Sequence, residues 1–239
     1  MNDTDNLCAP AVIGGGRLGR VLARALGAGA PLRRGESPAA GARAVILAVP
    51  DGAIAELAAS LPVGVPVGHC SGALTLDALA PHHERFSLHP LMTLTFDSQP
   101  EDLAGAGAAV AGSTSRSLAL ARELAQRAGL EPFVVAEADR ALYHAAATIA
   151  SNFLVTVEAT ADRIFAAVGV EHRHAATLAR ASLENWARSG AQRALTGPIA
   201  RGDSATVERQ RVALAARAPD ALRTFDALAD ATRALLVSA

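Results

Sequence analysis

With 239 residues and a net charge of −1, the chain can bury a real core but has no bulk electrostatic pull toward nucleic acid or an anionic membrane. Half of it is hydrophobic while aromatics are only 3%, so the core is expected to be built from Ala, Val, Leu and Ile. Every basic residue is arginine, and the absence of lysine excludes Schiff-base chemistry and any lysine general acid. Cys8 and Cys70 are too few for a disulfide framework and lack metal-ligand spacing, which fits a reducing cytoplasm; no metal is expected. The N-terminal MNDTDNLCAP is acidic and polar, unlike a signal peptide. The uncharged stretch 141–157 is short for a membrane span and reads as a buried helix. A soluble, cytoplasmic protein is the expectation.

Along the chain the first half alternates. Residues 11–13 form a short apolar strand, 17–26 have helical spacing, and a brief strand surrounds Leu32. The run AVILAV (44–49) is apolar throughout, as in a strand covered on both faces. A helix over 52–61 follows, with Asp51 placed as its N-cap. Strands are predicted at 65–69, 86–89, 108–111 and 133–135, and helical segments at 76–79 and 115–129. This alternation predicts an α/β fold, a doubly wound parallel sheet. After Ala136 only helical spacing remains. Asp139 can cap a long helix with Leu142, Ala146, Ile149, Phe153 and Val157 on one side, and further helices are predicted at 171–189, 203–217 and 220–237. The expected division is a Rossmann domain over 1–137 and an all-α domain over 138–239.

The turn AVIGGGRLGR sets Gly14, Gly16 and Gly19 in G-x-G-x-x-G spacing, between the first strand and the first helix. There the first glycine permits the tight turn, the second lets a diphosphate reach the backbone, and the third lets helix and strand pack closely. Gly14, Gly15, Gly16, Arg17, Leu18 and Gly19 are therefore the expected dinucleotide cradle. At the second strand's end, PLRRGE places Arg33 and Arg34 ahead of the one nearby carboxylate, Glu36. Arginine accommodates a 2′-phosphate, so NADP is favoured over NAD. Val49 and Pro50, ending the buried strand, are placed at the nicotinamide side.

Ligands of open α/β sheets gather at the carboxyl ends of strands, and two such ends are polar here. HCSG holds Ser71, a candidate for orienting substrate, and LHPL holds His89, a candidate proton donor or acceptor with a pKa near neutrality. In YHAAATIASN, His144, Thr148 and Asn152 lie four apart and are expected to share one helix face. In TGPIARGD (196–203), glycine and proline break the helix, Asp203 can cap the next one, and Arg201 offers a fork suited to a carboxylate or phosphate. An internal Arg201–Asp203 ion pair is the alternative.

Six stretches, AVIGGGRLG, LAVPDGAI, HCSGAL, SLHPLMT, YHAAATIASN and TGPIARGD, follow one another across nearly the whole chain. Together they resemble proteins with a Rossmann-like domain followed by a helical domain of unknown function. Those proteins are relatives of NADP-dependent oxidoreductases that include 6-phosphogluconate, 3-hydroxyisobutyrate and prephenate dehydrogenases, pyrroline-5-carboxylate reductase and ketopantoate reductase. The resemblance implies a C-terminal domain of the 6-phosphogluconate dehydrogenase type that dimerises and helps close the cofactor cleft. His89–Pro90 is similar to the histidine–proline step of prephenate dehydrogenases. Asn152 is similar to the asparagine that, in hydroxyacid dehydrogenases, lies one turn after a catalytic lysine. This chain has Thr148 in the lysine's place, so that mechanism does not carry over.

The leading expectation is an NADP-dependent oxidoreductase acting on a small anionic carbonyl or hydroxy compound. His89 or His144 would exchange the proton, Asn152 and Ser71 would orient the substrate, and Thr148 and Arg201 would bind it. The rivals are a non-catalytic NADP sensor or scaffold and a deazaflavin-linked NADP reductase.

Overall fold

The computed structural model describes residues 9–39 and 41–237; Cys8 and most of MNDTDNLCAP lie outside them. The chain divides into two compact units, one ending at Ser151 and the other beginning at Asn152. Strand signals end earlier, near residue 137.

The first unit alternates strands and helices as β1 (Ala11–Ile13), α1 (Arg17–Ala25), β2 (Val45–Leu47), α2 (Ile54–Ser60), β3 (Val67–His69), β4 (Arg85–Pro90), β5 (Gly107–Gly112), α3 (Ser115–Arg127) and β6 (Glu131–Val134). The six strands make one sheet in chain order. Leu32 adds one more parallel bridge, to Ile13. Its amide and carbonyl bond Val12 and Gly14, whereas Ala11 and Ile13 bond the β2 side. Successive residues of a strand aim their backbone groups in opposite directions, so Leu32 and β2 flank β1 on opposite sides. The chain order therefore reverses at β1, which makes its carboxyl end a topological switch point.

Register follows the hydrophobic alternation. Val12, Ile46, Phe86, Leu88 and Val110 join Leu22 of α1 and Leu124 of α3 in one cluster. Ile13, Val45, Leu47 and Val67 join Ile54 of α2 and Leu79 in the other. Both faces of the sheet are thus covered, as the uninterrupted AVILAV run requires. The all-parallel expectation fails at one pair: β4 and β5 are antiparallel. Between them stands no α-helix, only loop and a 3₁₀ turn at Pro100–Leu103, so the chain turns back beside β4 without a βαβ unit, which an antiparallel pair allows.

Two predicted caps also differ. Asp51 lies inside a 3₁₀ turn, Asp51–Ala53, that precedes α2, and its carboxylate bonds a neighbouring loop. Asp139 makes no side-chain cap to α4 (Arg140–Thr148). The long helix expected after it is interrupted by a π turn at Ile149–Phe153 before α5 (Leu154–Ala166). Nor is its apolar stripe buried: Leu142, Ile149 and Phe153 are all more than half exposed. Spacing marks which residues are apolar together, but not whether this chain itself covers them.

The second unit continues with α6 (His172–Ser189), the short α7 (Ala191–Ala194), α8 (Ser204–Arg217) and α9 (Pro219–Val237). Asp203 caps α8 as expected, its carboxylate accepting the Thr206 amide at 2.9 Å. The fold class is α/β, a mostly parallel doubly wound sheet with an all-helical C-terminal part.

Candidate functional site

At the switch point the three motif glycines meet two kinds of environment. Gly14 has φ +124°, and a Cβ there would lie 2.2 Å from the Ala48 carbonyl oxygen. At Gly19 a Cβ would lie 1.9 Å from the Gly14 carbonyl oxygen. Both positions are closed by main chain. Around Gly16, and around Gly15, a Cβ would meet nothing within 4 Å. Glycine is thus required at Gly14 and Gly19 by the fold, whereas at Gly16 the protein itself makes no such demand. Gly16 is also the N-cap of α1, with no side-chain cap and no acid in the first turn. The first amides of that helix are left to an outside acceptor, and its dipole favours an anion. The arrangement fits a dinucleotide diphosphate.

Leu18 is half-buried and packs on the core beneath the turn, while Arg17 is exposed. Arg33 and Arg34 directly follow Leu32, are exposed, and make no ion pair among the described residues. The carboxylate of Glu36 accepts the Arg33 amide at 2.8 Å, which commits it to the turn. Val49 packs against the second cluster, and a Cβ at Gly14 would lie 3.1 Å from it. Pro50 is exposed at the start of the next 3₁₀ turn.

The polar residues gather beyond β3 and β4. His89 Nδ1 lies 2.8 Å from the Tyr143 hydroxyl, with the rings perpendicular and 5.6 Å apart. His144 stands 6.0 Å from His89, also edge-on. Gly72 faces both imidazoles: a Cβ there would lie 2.6 Å from His144 and 2.9 Å from His89 Nε2. Any side chain at 72 would press on both rings. Burial, followed by the charges of His144 and Arg140, lowers the His89 pKa to about 4. His89 is therefore neutral at physiological pH.

The Ser71 hydroxyl donates to Asp51 at 2.9 Å and accepts the Ala73 and Leu74 amides at 3.2 and 3.0 Å. These three bonds hold the loop after β3. Behind it lies a residue the sequence reading missed. Arg140 is 1% exposed and donates to the Ser71 carbonyl at 2.7 Å and to the Ser87 hydroxyl at 2.9 Å. Its carboxylate neighbour, Glu137, is 3.8 Å away and accepts the Leu76 amide at 2.8 Å. One guanidinium thus ties together α4, the β3 loop and β4. A Glu137–Arg140 pair three apart was visible in the sequence, but its burial was not. His69 is also buried, with its pKa lowered by burial and then by Arg140 to about 4. Burial raises the Cys70 thiol to about 12, which leaves it unreactive.

Of the remaining candidates, Thr148 belongs to the first unit and Asn152 and Arg201 to the second. Thr148 donates to the His144 carbonyl one turn earlier, at 3.0 Å, so its hydroxyl is satisfied within its own helix. Asn152 is exposed and lies in the π turn, where the four-residue repeat expected to align it with His144 and Thr148 no longer holds. Arg201 is exposed and makes no ion pair among the described residues. Asp203 caps α8 instead of pairing with it. Among the described residues no group of three or more His, Cys, Asp or Glu could hold a metal, and no helix is long and apolar enough to cross a membrane.

Several solved structures share the fold. A candidate NADP oxidoreductase from Bacteroides fragilis is 18% identical with a TM-score of 0.81, covering 95% of this chain and 98% of its own. Protein TM1727 from Thermotoga maritima is 24% identical with a TM-score of 0.78, over the same shares of the two chains. The pyrroline carboxylate reductase of Plasmodium falciparum, solved with NADP bound, is 12% identical with a TM-score of 0.58, covering 97% and 99%. No curated protein matches the sequence. The family model described as "Domain of unknown function (DUF2520)" matches residues 107–232, more than half of the 239 residues, and the chain therefore belongs to that family.

Proposed function

We propose that the protein is an NADP-dependent oxidoreductase acting on a small anionic carbonyl or hydroxy compound. The contrast among the glycines carries the reading. Gly14 and Gly19 are closed by main chain while Gly16, between them, faces open space at the uncapped start of α1. That is the arrangement needed to bring a diphosphate against bare backbone. Arg33 and Arg34, without ion-pair partners among the described residues, supply the charge for a ribose 2′-phosphate, and Glu36 is engaged elsewhere. Bound NADP in a structure of the same fold is consistent with this choice.

When bound, the nicotinamide exchanges a hydride with the substrate carbon. The protein's own part is orientation and the proton. Val49 and Pro50 line the nicotinamide side, and the neutral His89 faces a glycine that leaves room beside its Nε2. His144 adds a second imidazole, and Ser71 holds the loop carrying Gly72. Asn152, Thr148 and Arg201 remain the candidates for holding substrate, with Arg201 as anion anchor. The exposed apolar stripe of α4 and α5 supports a homodimer formed through the helical part.

Fluorescence titration with NADPH and NADH tests the cofactor. NADPH should bind about tenfold more tightly, and Arg33→Ala with Arg34→Ala should erase the difference. Absence of NADPH binding would end the proposal. Tight binding without turnover of any carbonyl compound, and unchanged by substrate anions, would leave a nucleotide sensor.

A further inference from the structure

A histidine whose pKa is lowered to about 4 has no spare proton at physiological pH, yet His89 is the group placed to exchange one. A neutral imidazole can give up its Nε2 proton without becoming an anion only if Nδ1 gains one at the same time. The neighbour at Nδ1 is the Tyr143 hydroxyl, at 2.8 Å. No other hydrogen-bond partner of that hydroxyl is found among the described residues. Phenol O–H is a strong donor and a weak acceptor, and the pyridine-like nitrogen of imidazole is a strong acceptor. The pair is therefore ordered with Tyr143 donating to Nδ1, which leaves the His89 proton on Nε2, the atom facing Gly72.

Packing holds that geometry. Tyr143 stacks edge-on against Phe133 at 6.0 Å, and it sits one turn after Arg140, whose guanidinium is fixed to the loop carrying Gly72. The phenol's pKa lies above its ordinary value, raised by burial with the Arg140 charge opposing that rise. The charged and titratable groups acting on His89 are His144, Arg140, Asp51 and His69. Of these, Arg140 carries the charge that would steady a phenolate.

We propose that Tyr143 is the positioning residue of the site, fixing His89 as the Nε2–H tautomer and passing its own proton to Nδ1 when the Nε2 proton leaves. This rests on the oxidoreductase reading for its chemical use, with the reduced nicotinamide as reductant. As the substrate oxygen gains charge, an O–H bond forms on it and the Nε2–H bond breaks. The Tyr143 O–H bond breaks as an Nδ1–H bond forms. His89 ends neutral, as it began, and the negative charge rests on the Tyr143 oxygen near Arg140 until solvent returns a proton. The reverse reaction runs the same bonds backwards.

The experiment uses the full chain labelled with nitrogen-15, with His89 assigned by comparison with His89→Asn. At neutral pH the wild-type Nδ1 should show the shift of an unprotonated, hydrogen-bonded nitrogen, and Nε2 should carry the proton. In Tyr143→Phe, which keeps the ring contact with Phe133, the Nδ1 shift should move to that of an unbonded nitrogen while thermal stability stays close to wild type. Turnover should fall about 100-fold with KM and NADPH affinity unchanged, a split that a general loss of structure would not produce. A proton on Nδ1 in the wild type, or an Nδ1 shift and turnover both unmoved in Tyr143→Phe, would overturn the proposal. Failure of NADPH to bind the wild-type protein would instead remove the oxidoreductase reading, and the nitrogen shifts would still decide the tautomer.

Discussion

In the sheet unit Ile46, Leu47, Phe86 and Leu88 are fully covered, whereas in the helical unit Phe153, Leu178 and Trp186 stand 56%, 59% and 58% exposed. The residues buried in the helical unit are mostly alanines: Ala175, Ala221 and Ala229, with Val207. The first unit closes its core from both faces of one sheet. The second leaves several of its large apolar side chains exposed, the kind of side chain that marks an interaction surface where such groups adjoin. Stability in the first unit is therefore a property of one chain. In the second it is tied, on the homodimer reading, to a partner's surface.

The largest effect should separate the two units directly. Phe86→Ala removes a buried ring from the sheet core and should cost about 3–5 kcal/mol in denaturant unfolding, whatever the protein concentration. Trp186→Glu should leave the isolated monomer's unfolding almost unchanged. It should weaken self-association by about 2–4 kcal/mol, seen by light scattering as a monomer at concentrations where wild type is a dimer. A wild-type protein that is monomeric at all concentrations would remove the second copy from this picture.

A finer division runs inside the sheet unit. Gly14→Ala should destabilise by about 1–3 kcal/mol, because its Cβ meets backbone that cannot move aside. Gly16→Ala should leave the melting temperature near wild type while weakening NADPH binding at least about tenfold. Equal behaviour of the two variants would show that Gly16 has no ligand to admit.

Stability of the sheet unit should also depend on pH. His69 and His89 have folded pKa values of about 4, below the ordinary 6.5. Between those values the unfolded chain binds more protons, so stability rises with pH. It should be fully present above about pH 6.5, fall as pH drops toward about 4, and level off below for these two groups. The urea midpoint across that range measures it, and His69→Gln should flatten part of the slope. The smallest effect is local. Thr114→Ala removes the hydroxyl that accepts the Ser117 amide at the start of α3, at a cost of about 1 kcal/mol.

Much of this is legible in the sequence alone. Short apolar runs bounded by turn signals marked the strands, and spacing of three to four marked the helices, because both signals are local to the chain. The glycine spacing located the switch point, and the Asp203 cap could be read from its neighbours. Tertiary structure alone decided what depends on residues far apart. The antiparallel return of β5 beside β4 depends on long-range pairing, and the burial of Arg140 came from Ser71 and Ser87 meeting it across the fold. The pairing of His89 with Tyr143 joins positions on different elements. The π turn that breaks the His144–Thr148–Asn152 alignment is a change of helical pitch that apolar spacing does not record. Local chemistry determines which conformations a segment can take, while burial, and with it protonation and partner choice, depends on neighbours that only the assembled fold supplies.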